Sequence, residues 1–213
     1  MTAGARFPGF DVLAQAVHWD EFTRAVVFDR LHDLPPMRFF TPHQQAALVP
    51  LLDQLVGQRA APGELKVELA RMIDARLAEL ETDGWHYDTM PPDGEAWVRT
   101  LAALDADALA ASGAPFAELG WDDQHELLAR FRSSHDDEWH GLPRSAVWSL
   151  WTRYAATAFY SHPALWNEIG FSGPSYPRGY KNLGVDKREP FEVPDAHPDR
   201  DPVRRSESDS EAR

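Results

Sequence analysis

Six consecutive residues, His135-Asp136-Asp137-Glu138-Trp139-His140, gather two imidazoles and three carboxylates, all ligand types for a divalent cation. Their spacing works against a single site. His135 and His140 are five positions apart, which on a helix places them on different faces, and Gly141-Leu142-Pro143 turns the segment into a loop. A solvated polar connection is the expected role, and a metal centre using His135, Glu138 and His140 is the alternative. Asp29-x-x-His32, Asp83-x-x-His86 and Asp122-x-x-His125 imitate the i, i+3 pairs of di-iron bundles. Those sites take Glu-x-x-His from two helices and further Glu from two others, so capping is the simpler reading of the three pairs. Ser133-Ser134-His135-Asp136 contains triad residue types, but consecutive residues cannot form a triad. There is no Gly-x-Ser-x-Gly elbow and no Gly-x-x-x-x-Gly-Lys phosphate loop. Gly170-x-x-Gly173 and Gly179-x-x-x-x-Gly184 follow no strand, which excludes a dinucleotide fingerprint. No catalytic, cofactor-binding or metal residue is assigned in this chain.

Composition points the same way. The chain has 213 residues, with 34 Asp and Glu against 21 Lys and Arg, a formal net charge of −13. Nucleic acid and anionic membranes are therefore poor partners, since both would be repelled. The absence of cysteine removes disulfides, thiolate metal sites, covalent c-type haem and a cysteine nucleophile. No stretch approaches the roughly 20 apolar residues of a membrane span.

Helical periodicity fills the middle of the chain. Asp20 to Leu31 places Phe22, Ala25, Val26, Val27 and Phe28 on one face. Thr41-Pro42-His43-Gln44 combines an N-cap, a proline at the first helical position and a capping glutamine, followed by Leu48, Leu51, Leu52 and Leu55, with Gly57 as the stop. Glu64 to Glu81 carries the stripe Leu65, Leu69, Met72, Ile73, Leu77 and Leu80, ending before Gly84. Further helices are expected from Asp93 to Ser112, from Asp122 to Arg132, from Pro143 to about Tyr160, and from Pro163 through Ile169. The fold class is all-α, a compact array of short helices. Of the eight Trp, Trp97, Trp148 and Trp151 fall on helix faces and read as core.

Gly170 to Phe191 is too rich in Gly and Pro for regular structure, yet Phe171, Tyr176, Tyr180, Leu183, Val185 and Phe191 supply apolar anchors along it. An extended loop that buries rings, on its own helices or on another chain, is expected. Residues 1–193 form one helical domain including this loop at 170–191, and residues 194–213, charged and Ser-rich, form a disordered tail. Trp166, Phe171, Tyr176, Arg178 and Tyr180 are the candidate partner-binding residues, because Tyr, Trp and Arg dominate binding energy at interfaces.

Ser161-His162-Pro163 and the run from Trp166 through Gly170-Phe171-Ser172-Gly173-Pro174-Ser175-Tyr176-Pro177-Arg178-Gly179-Tyr180 resemble the signature of the gluconate 2-dehydrogenase subunit 3 family. So do Arg38-Phe39-Phe40-Thr41-Pro42, Asp83-Gly84-Trp85-His86-Tyr87, Met90-Pro91-Pro92-Asp93-Gly94-Glu95 and Phe116-Ala117-Glu118-Leu119, in the same order. The resemblance runs from about Gly9 to Phe191. It implies a small, non-catalytic subunit of a sugar or sugar-acid dehydrogenase complex. In such complexes a large flavoprotein of the glucose-methanol-choline type holds FAD and substrate, and often a multihaem cytochrome c subunit passes electrons onward. The resemblance thus places no cofactor in this chain and FAD in its partner. Small subunits of the family frequently bear a twin-arginine signal, whereas Met1 to Phe10 holds one Arg and no apolar run. A cytoplasmic location follows as the expectation. The alternative is periplasmic residence, by co-export with a partner or after loss of a signal. A stand-alone carbohydrate-binding module, suggested by the Trp count, is a further alternative to the subunit reading.

Overall fold

Local sequence signals account for most of the helices. A computed structural model gives the fold and describes residues 7, 9–32, 34–59, 66–85, 87–184 and 187–194. The expected tail lies outside the described residues from position 195 onward, as do Val185 and His86. The helices are α1 (Glu21–His32), α2 (Pro42–Val56), α3 (Leu69–Ala78), α4 (Asp93–Ser112), α5 (Trp121–Ser133), α6 (Arg144–Ser161) and α7 (Pro163–Ile169). Short 3₁₀ turns at Val12–His18 and Phe116–Glu118, and a small hairpin of β1 (Glu138–Trp139) with β2 (Leu142–Pro143), complete the regular structure. The all-α expectation holds in a mostly helical chain. Among the described residues no helix is long and apolar enough to cross a membrane.

The chain forms two compact units, one made of Arg30–His162 and the other of the two chain ends, up to Asp29 and from Pro163. In the larger unit α2 is the central element, packed against α3, α4, α5 and α6. Its start is the capping box read from the sequence: the Gln44 amide donates to Thr41 Oγ1 at 3.4 Å, and the Thr41 amide donates to Gln44 Oε1 at 2.9 Å. Leu48, Leu51 and Leu52 are buried, and Gly57 ends the helix at φ 68°, in the left-handed region that glycine enters without strain. The aromatic core runs from Phe40 through Trp97 to Tyr154, each ring edge-on to the next. Behind it Trp151 Nε1 donates to Thr100 Oγ1 at 3.0 Å. Asp74, fully buried on α3, accepts the backbone N–H groups of Arg38, Phe39 and Phe40 at 2.5, 3.0 and 2.9 Å and so fixes the strand-like entry into α2.

Three expectations are corrected. The third helix is shorter than Glu64 to Glu81, with residues 66–68 non-helical and the end at Ala78. It closes at Leu80 rather than near Gly84. The Leu80 amide donates to the Leu77 carbonyl and the Glu81 amide to the Arg76 carbonyl, the paired bonds of a Schellman motif, with Leu80 at φ 57°. A left-handed residue with a Cβ costs about 1–2 kcal/mol, and Leu80 is 84% exposed rather than part of the stripe. On α1, Phe22 and Val26 are exposed and only Val27 is buried; Phe22 lies about 140° around the helix from Val27, too far to share its face. Finally, the segment read as a plain loop after α5 holds the hairpin, whose turn residues His140 and Gly141 both have positive φ, as a tight two-residue hairpin turn demands.

In the smaller unit Val12, Ala16, Trp19, Val27 and Trp166 form the core, with Phe10, Leu13 and Phe28 against it. The Val12 amide donates to Asn167 Oδ1 at 2.8 Å, joining the two ends of the chain. Gly173 is packed so closely that a Cβ there would lie 2.7 Å from the Trp19 ring and 3.1 Å from Val12.

Candidate functional site

The loop after α7 lies on the smaller unit and holds itself in place. Trp166 is buried in the core and meets the Phe171 ring edge-on at 5.1 Å. Arg178 donates from Nη1 to Gln15 Oε1 at 3.0 Å and lays its guanidinium 3.8 Å from the Phe191 ring centre. The Glu189 carboxylate accepts the backbone amides of Lys181 and Asn182 and the Asn182 side chain, the last at 3.0 Å. Those amides, Asn182 first, hold its pKa below the ordinary carboxylate value. The five candidate residues therefore divide. Trp166 and Arg178 are committed to this chain's own packing, whereas Phe171, Tyr176 and Tyr180 are 41, 63 and 51% exposed. The loop presents three rings outward from a backbone fixed by buried polar contacts.

A second arrangement in the larger unit has no counterpart in the sequence reading. Asp83 is gripped by two arginines, Arg76 at 2.9 Å and Arg153, so it is a bridge and not the cap that its position after a helix suggests. Arg153 also lies 3.6 Å from Asp93, which accepts the Tyr154 hydroxyl at 2.7 Å. Burial, then the bond to Asp93, pushes the Tyr154 pKa far up, so the phenol is a fixed donor and not a base. Arg153 stacks on Trp85 at 4.8 Å, and Trp85 meets Tyr87 edge-on at 5.5 Å, leaving both rings about half exposed. The signal that was available is the short string Asp83-Gly84-Trp85, with Arg76 seven residues before it, but the second arginine lies on α6, 70 positions on.

The polar cluster after α5 is organised by Asp107 of α4. One carboxylate oxygen accepts Trp139 Nε1 at 2.7 Å and the other faces His140 Nε2 at 2.7 Å. Arg144 spends its guanidinium on the carbonyls of Asp136, Phe131 and Glu138. His140 is thereby turned toward Asp107, and His135 lies exposed beside an open cleft of about 320 Å³ with Asp137 and Trp148. Among the described residues no three His, Asp or Glu side chains are placed to share a metal ion. The three members of the alternative metal centre, His135, Glu138 and His140, are not brought together.

Residues 42–173 match the family model described as gluconate 2-dehydrogenase subunit 3, more than half of the chain. The chain belongs to the gluconate 2-dehydrogenase subunit 3 family. Comparison with curated proteins and with solved structures finds no match. The matched stretch is narrower than the resemblance from Gly9 to Phe191. It includes α2 to α7, the Asp83 bridge and the rings of Trp166 and Phe171, and it ends before Tyr176, Arg178 and Tyr180. In this subunit 3 protein the last three candidate residues in the sequence thus lie beyond the part that the family pattern describes.

Proposed function

We propose that this chain is a non-catalytic accessory subunit that binds an FAD-dependent sugar or sugar-acid dehydrogenase of the glucose-methanol-choline type and stabilises or helps assemble it. FAD and substrate belong to the partner. Membership of the subunit 3 family is the observation that carries the reading. The loop gives it a physical form, because exposed rings on a backbone already held by Arg178, Glu189 and Trp166 lose little conformational freedom on docking. A subunit that binds only the folded dehydrogenase stabilises it by mass action, without touching the chemistry.

Truncating both exposed tyrosines tests the loop. A Tyr176→Ala, Tyr180→Ala variant should keep the wild-type fold, since both side chains are more than half exposed and Tyr180 gives up a single tilted contact with the Phe191 ring. Its affinity for the co-expressed flavoprotein should fall by about 2–4 kcal/mol, the usual cost of losing aromatic anchors. Wild-type co-purification and wild-type dehydrogenase activity in that variant would remove the loop from the interface.

A further inference from the structure

Where α3 ends and α4 begins, the larger unit carries an open apolar groove of about 480 Å³ lined by Phe39, Leu77, Leu80, Pro92, Gly94 and Val98. Three features of the groove and of the segment that follows α3 are not explained by the fold. The first is Leu80, which occupies the left-handed position of the Schellman motif where glycine is the favoured residue, and exposes 84% of its surface in doing so. A leucine there gains nothing from burial within the chain. The second is rigidity. Asp83, held between Arg76 and Arg153, fixes the connection from Leu80 to Trp85, and Trp85 is further clamped by Arg153. The third is charge. Residues 79–95 contain six carboxylates and no Lys or Arg. Arginines from elsewhere pair with Glu79, Asp83, Asp93 and Glu95, but Glu81 and Asp88 are exposed and have no cation partner among the described residues.

We propose that this groove, with Leu80 on its wall and Glu81 next to it in the chain, forms a second docking site, for an apolar segment flanked by Lys or Arg on the dehydrogenase subunit. The proposal rests on the subunit reading above and adds the place and the chemistry of a contact. A second copy of this chain is a poor occupant, since each copy carries −13 and would set Glu81 and Asp88 against their equals. The apolar groove takes the segment's hydrophobic side chains against Leu77, Leu80 and Val98, and the unpaired carboxylates Glu81 and Asp88 attract the flanking cations.

The test uses the full chain and its co-purified flavoprotein, with affinity measured over a range of salt. Leu80→Gly separates fold from function: it should raise the melting temperature of the isolated chain by relieving the left-handed leucine, while weakening binding at least tenfold. A Glu81→Lys, Asp88→Lys variant should bind more weakly at low salt and lose most of the salt dependence. Wild-type affinity in Leu80→Gly, or unchanged salt dependence in the charge reversal, overturns this site and leaves the subunit reading standing. A wild-type chain that captures no flavoprotein overturns the subunit reading, and the groove proposal with it.

Discussion

Asp74 shows how much one side chain can organise. It is completely buried, yet it meets three backbone N–H groups from a segment more than 30 positions earlier, so its charge is answered by hydrogen bonds and not by a cation. Asp74→Asn replaces one carboxylate oxygen by a donor facing a donor. The expected loss is about 2–3 kcal/mol in urea denaturation, and a change under about 0.5 kcal/mol would mean these bonds are not holding the segment. The capping box at Thr41 and Gln44 was legible because its partners are three residues apart. Asp74 was not, because its partners are remote; the available signal was an acid set inside the stripe of Ile73 and Leu77. Distance in sequence also hid the pairing of Asp83 with Arg153, 70 positions on, and of Asp107 with Trp139 and His140, across 32 and 33 positions.

The elements themselves followed from periodicity and punctuation wherever the apolar stripe was long. α2, α4, α5 and α6 fall within a residue or two of their expected bounds. Periodicity failed where another rule decided the end: a leucine entered the left-handed region and closed α3 early, and a His-Gly turn made a hairpin too short for strand alternation to register. The 3₁₀ turn at Val12–His18 was also missed, since its burial depends on Asn167 and Trp166 at the other end of the chain. That dependence gives a test of the smaller unit. Gly173 has φ 79° with the Trp19 ring and Val12 against it, so Gly173→Ala adds both backbone strain and overlap. A loss of about 2 kcal/mol is expected, with faster amide exchange concentrated in the 3₁₀ turn, α7 and the loop after it. Uniformly faster exchange over the α2 to α6 core as well would show that the two units do not hold separately.

For the molecule as a whole, chemistry is read from what the residues are engaged in. Tyr154, Asp93, Arg153, Asp74 and Glu189 are all engaged with other side chains or with the backbone of this chain: Arg153 holds Asp83 and Trp85, Asp74 holds the segment entering α2, and Glu189 holds the loop that carries Tyr176 and Tyr180. Exposed rings occur in both units, among them Phe22, Phe171, Tyr176 and Tyr180 in one and Trp85, Tyr87 and Tyr160 in the other. Polar groups spent on holding segments in place, with apolar side chains left to solvent, support the docking role proposed above. The loop's Gly and Pro content and its rings were visible in the sequence. Which rings point inward, and where the apolar groove beside Leu80 lies, depended on contacts between segments far apart in the chain.

The most direct measurement is size-exclusion chromatography of the tagged chain isolated from its own cells, with protein and flavin absorbance followed together. A single peak heavier than 24.0 kDa, carrying flavin and sugar-oxidising activity that disappears when the partner is stripped away, is the predicted result. A monomer that elutes without flavin, or one that oxidises a sugar by itself, contradicts the account.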